Sequence, residues 1–93
     1  MKFYIKHSVT GRLRVHMDMK HMSFKQADIL EYYIKNIETV TSVKVYEKTC
    51  DAVIEFKGDK AQIINELKHF TYSQVVVPED VLNSSGREMN SYY

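Results

Sequence analysis

"KFYIKHSVTGRLRVHM", Lys2 to Met17, decides how this chain is built. Its second part, Arg12 to Met17, alternates cleanly: Leu13, Val15 and Met17 fall on one face, Arg12, Arg14 and His16 on the other. Period-two alternation of this kind marks a strand with one buried face. The first part, "KFYIK", is aromatic and β-branched and alternates only partly, and "HSVTG" (His7–Gly11) interrupts it. As one strand the whole stretch would run roughly 50 Å at about 3.3 Å per residue, too long for a domain of this size. Gly11 therefore marks a bulge or a break.

The rest of the chain follows the same logic. Ser23 with Gln26 three residues on gives the capping box "SFKQ", with Met22 and Ala27 placed to form the flanking hydrophobic staple. Phe24, Ala27, Leu30, Ile34 and Ile37 recur at helical spacing. "VTSVKVYE" and "AVIEF" read as two strands, and "KTCD" (Lys48–Asp51) between them as a hairpin turn that leaves Cys50 exposed at its tip. A second helix starts at Asp59 and buries Ile63, Leu67 and Phe70, and "QVVVP" (Gln74–Pro78) reads as a last short strand. The expected domain covers residues 1–78, and the Ser/Asn-rich residues 79–93 read as a polar linker or tail.

The element order is then β-α-β-β-α-β, an α+β, ferredoxin-like sandwich. Right-handed crossovers give an antiparallel sheet ordered 4-1-3-2 with both helices on one face. In that arrangement the end of the first strand, the central hairpin tip and the end of the second helix share one edge. The loop "HMDMKHM" (His16–Met22), Cys50 and the His69–Tyr72 turn come together there from three parts of the chain.

Composition narrows the function. Ninety-three residues make one domain with a modest core. With 13 basic and 12 acidic residues the net charge is +1, so no strong field draws in nucleic acid or an anionic membrane. The single Cys50 excludes an internal disulfide and fits a reducing compartment. No secretory leader opens the sequence and no run of about 18 apolar residues occurs, so the expectation is a cytoplasmic unit without membrane insertion.

Thioether and imidazole groups suit Cu(I) or a related soft ion, and the Met/His loop is rich in both. Met17 continues the Leu13–Val15 face and Met22 is the staple residue. That leaves Met19 and His21 as the freest candidate ligands, with His16 behind them and Cys50 as a possible fourth. Each has a plainer reading: an exposed histidine is usually solvated and a turn cysteine incidental. No CxxC pair exists to organise structural zinc. Enzyme signatures are weak, since no serine elbow, phosphate loop or HExxH occurs, and Cys50 with His16 or His69 lacks a third orienting residue. The topology is shared by RNA-recognition domains, but "AVIEFKG" lacks their basic-Gly-aromatic pattern. Arg12, Arg14 and Lys44 on an open sheet face read more simply as a charged solvent face.

"HSVTGRLRVHM" resembles a divergent branch of the heavy-metal-associated (HMA) domain, found at the cytoplasmic N-terminus of heavy-metal-transporting P-type ATPases. The matching H-x-x-x-G-R-x-R residues are His7, Gly11, Arg12 and Arg14. The likeness continues through "IETVTSVKVYEKTCDAVIEF" and covers roughly residues 5–72. It implies a non-catalytic accessory domain at the cytoplasmic face of the membrane, sensing or delivering a transition metal such as Cu or Zn for the parent ATPase, with that pump's other domains as partners and no nucleic acid. This chain departs from the family's G-M-x-C-x-x-C motif, having "HMDMKHM" where the cysteines belong. The alternative is a metal-free regulatory domain of the same fold. In it, His7 and Gly11 are structural and Arg12 and Arg14 meet a partner's carboxylates or phosphates.

Overall fold

The computed structural model describes residues 1–75 of the chain. The expected tail over residues 79–93 lies outside the described residues. Within them the Lys2–Met17 stretch folds back on itself as two strands, β1 (Phe3–Val9) and β2 (Arg12–Met17). Val9 pairs with Arg12, so Thr10 and Gly11 alone make the turn. Gly11 takes a φ of +78°, a conformation that costs any residue with a Cβ. The register also slips between Ile5 and His7, placing a bulge at Lys6. Gly11 is thus a true break. The residues read as an interruption, His7 to Val9, remain in strand on the far side of the bulge.

α1 (Phe24–Lys35) opens on the expected capping box: Ser23 Oγ accepts from the Gln26 N–H at 3.0 Å, and Gln26 Oε1 accepts from the Ser23 N–H at 2.9 Å. Ala27, Leu30 and Ile34 form its buried stripe, continued by Ile37 and closed by Met22. β3 (Val40–Tyr46) and β4 (Asp51–Phe56) form the central hairpin. α2 (Ala61–His69) starts where Asp59 Oδ1 accepts from the Ala61 N–H at 3.0 Å, and buries Ile63 and Leu67 ahead of Phe70. A single 3-10 turn, Tyr72–Gln74, follows.

The result is a small α+β domain with a four-stranded antiparallel sheet ordered β1-β2-β4-β3 and two helices. The expected order 4-1-3-2 is corrected at one place. β2, β4 and β3 lie side by side as the first, third and second strands should. The outer position beside β2, however, belongs to β1 and not to the Gln74–Pro78 segment. The physical reason is local. A two-residue turn brings β1 against β2 at small loop-closure cost, and this fills the edge that a distant segment would otherwise need. Gln74 closes the 3-10 turn and Val75 lies outside any strand, while residues 76–78 are not among those described.

Alternation decides what the sheet's two faces do. Leu13, Val15 and Met17 from β2, Val45 from β3, and Ala52, Ile54 and Phe56 from β4 join the helices' apolar stripes in one cluster. Burying each large side chain there contributes about 1.5–3 kcal/mol. The other face carries Tyr4, Arg12, Arg14, His16, Lys44, Tyr46, Asp51 and Glu55, and no helix covers it among the described residues. Among the described residues no helix is long and apolar enough to cross a membrane.

Candidate functional site

Asp51 opens β4, opposite His16 on β2 and Tyr46 on β3. With Tyr4 paired to His16, a row of Tyr4, His16, Asp51 and Tyr46 crosses all four strands on the open face. Asp51 has no exposed surface at all, although it lies on this polar face. Three side chains cover it. Arg14 donates through Nη2 at 2.9 Å and Nε at 3.2 Å, and Lys6 Nζ donates at 3.2 Å, all to Oδ2. His16 Nδ1 lies 2.7 Å from Oδ1. Because a carboxylate only accepts, that contact fixes the proton on Nδ1.

Each donor arrives for a local reason. Arg14 and His16 are two residues apart on β2 and so share a face. Lys6 reaches the same carboxylate because it occupies the β1 bulge. Burial by itself would raise the Asp51 pKa. Hydrogen bonds from His16, Arg14 and Lys6, with the Lys6 charge, outweigh it and hold the carboxyl down at about 2. The flanks are aromatic. The Tyr4 ring lies 4.9 Å from that of His16, and Lys44 Nζ sits 5.6 Å from the Tyr46 ring centre. Lysine and arginine (Lys6, Arg12, Arg14, Lys44) outnumber Asp51 and Glu55 on this face, although the whole chain is nearly neutral.

The expected metal residues meet different fates. His16 is held on the open face by Asp51. Met19 is half-buried against the core and its sulfur accepts from the Tyr72 hydroxyl at 3.6 Å. His21 is exposed and lines a shallow groove with Lys20, Glu47 and Lys48. Cys50, expected at an exposed tip, is instead 4% exposed. Its φ of +60°, unusual for a residue with a Cβ, turns the side chain inward, where the thiol lies 3.8 Å from the Glu47 carbonyl. Burial, then the charge of Asp51, pushes the thiol pKa up. A buried thiol of raised pKa is a poor thiolate ligand.

The shared edge is nevertheless real. The Met17 N–H donates to the Cys50 carbonyl at 2.8 Å, and Tyr72 reaches Met19. Tyr72 ionises only at about 12, chiefly because it is buried and then because Cys50 is near. Met19, Cys50 and Tyr72 therefore meet there, while His16 and His21 stand apart. Among the described residues no three His, Cys, Asp or Glu side chains converge on one point. The nucleophile–base pairing fares no better, since His16 is engaged by Asp51 and His69 Nδ1 donates to the Asn65 carbonyl at 2.8 Å.

The signature residues divide. Gly11 makes the turn, and its carbonyl accepts from the Phe56 N–H at 3.0 Å. Arg14 holds Asp51, while Arg12 and His7 are exposed, His7 opposite Arg14 and Arg12 opposite Glu55. Asp51 and Lys6 are the residues that sequence reasoning missed. The available signal was the unbalanced polar face of "RLRVH", two or three donors in need of an acceptor. Comparison with protein-family models, with curated proteins and with solved structures gave no match.

Proposed function

We propose that this chain is a metal-free protein-interaction domain, a regulatory accessory module of the kind that the HMA resemblance implies for the cytoplasmic head of a heavy-metal P-type ATPase. Its architecture is read as a ferredoxin-like variant in which an N-terminal strand fills the place of the last one. The observation that carries the reading is the Asp51 clamp. It spends Arg14, Lys6 and His16 on one buried carboxylate and so fixes a flat, cation-rich face flanked by Tyr4 and Tyr46. Arginine and tyrosine held rigidly on an open surface are the residue types that dominate protein interfaces. The soft donors, by contrast, are divided among the core, the open face and solvent.

The test uses the nucleotide-binding domain of a heavy-metal P-type ATPase from the same genome as titrant. Association should weaken as salt rises and fall about tenfold in Arg12→Ala/Lys44→Ala, which leaves the Asp51 clamp intact. Unchanged affinity in that variant would contradict the reading. One observation keeps a second reading open: Met19 and Cys50 both approach Tyr72, which offers two sulfurs to a soft ion. Binding of Cu(I) that disappears in Met19→Leu would favour it.

A further inference from the structure

The sheet's two edges differ in what they expose. Of the four exposed large apolar side chains among the described residues, Tyr4, Ile5 and Val9 lie on β1, and only Tyr46 lies on β3. β1 pairs with β2 along one edge, and among the described residues no strand pairs with the other. An edge strand with exposed apolar residues offers a row of free N–H and C=O groups to any extended chain that approaches. Beside it, between β1 and α2, runs a shallow groove of about 420 Å³ with Phe3, Ile5 and Ile64 along it and Lys2 and Lys68 at its rim. Phe3 and Ile64 are only partly buried where they meet the core. Among the described residues nothing covers the core on this side.

We propose that β1 accepts an extended, acidic segment of a partner protein as a fifth strand. Alternate side chains of the added strand cover Ile5 and Ile64, and its carboxylates meet Lys2 and Lys68. The charge pattern selects this occupant. No acidic residue lies on β1 or lines the groove, whose charged residues are Lys2 and Lys68. A second copy pairing β1 with β1 would bring Lys2, Lys6 and His7 against the same basic residues, which disfavours it. Nucleic acid has no peptide groups to continue the ladder. This surface lies on the sheet's edge, and the inference is independent of the reading of the open face.

Titration of the full chain with a synthetic peptide of alternating valine and glutamate, followed by amide NMR, tests this directly. The expected result is shifts concentrated at residues 3–9 and slower exchange of β1 amides. Lys2→Glu/Lys68→Glu should weaken the peptide about tenfold at low salt. Ile5→Ser, at a side chain already 42% exposed, should weaken it while leaving the circular dichroism of the fold unchanged. Shifts centred elsewhere, equal binding of a valine–lysine peptide, or self-association through β1 would each overturn the proposal. An open-face partner displaced by Arg12→Ala/Lys44→Ala while the peptide still binds β1 would leave both readings standing separately.

Discussion

The open face and the Met/His edge of this domain are built from residues of similar apparent promise, yet they are organised differently. On the open face, three donors, two from β2 and one from the β1 bulge, converge on Asp51 within 3.2 Å. At the edge, the sulfur and imidazole groups diverge, with Met19 against Tyr72, Cys50 in the core and His21 in solvent. The difference follows from electrostatics and packing. A buried carboxylate is costly unless several donors satisfy it, so one aspartate imposes an arrangement on its neighbours. A thioether carries no such requirement and settles wherever apolar surface is available.

The largest effect expected from breaking this contrast is on Asp51. Asp51→Ala removes the common acceptor of Lys6, Arg14 and His16 and should lower unfolding stability by about 3 kcal/mol in urea titrations. A loss no larger than that of an ordinary surface substitution would show that the clamp does not organise the face.

Acid should expose the same group. The folded pKa of about 2 lies below the ordinary aspartate value of 3.8, so the Asp51 contribution is present above about pH 4 and is lost as pH falls through 2. It amounts to about 2 kcal/mol, and in Asp51→Asn the corresponding limb of the stability curve should flatten. Urea denaturation repeated from pH 5 downwards measures it.

The edge should respond far less. Met19→Leu conserves volume and apolar character, and it should change stability by less than about 1 kcal/mol. Cys50 should react slowly with iodoacetamide in the native protein and quickly in denaturant, because its thiol is 4% exposed and its pKa is raised. Rapid native labelling would restore the exposed turn that the sequence implied.

Much of the fold was legible in local patterns. The Leu13–Val15–Met17 alternation, the Ser23–Gln26 capping box and the Ile63–Leu67–Phe70 stripe all appear where their spacing placed them. The N-terminal strand was harder to see, because the bulge at Lys6 breaks its period and divides one strand into two weak signals. A short Thr10–Gly11 loop between two β-rich runs was the available hairpin cue. Asp51 read as a turn residue because aspartate is rare in strands. Its pairing with His16 depends on the register between β2 and β4, which no local window contains. Cys50 was misplaced for a related reason, since only its left-handed backbone sends the side chain inward.

The most direct test of the central claim, that function lies in the organised surface and not in a metal loop, is an anaerobic Cu(I) competition titration of the full chain beside Met19→Ala/His21→Ala. The account expects weak binding that is equal in the two proteins. Tight one-to-one binding in the native chain that is lost in the double variant would contradict it.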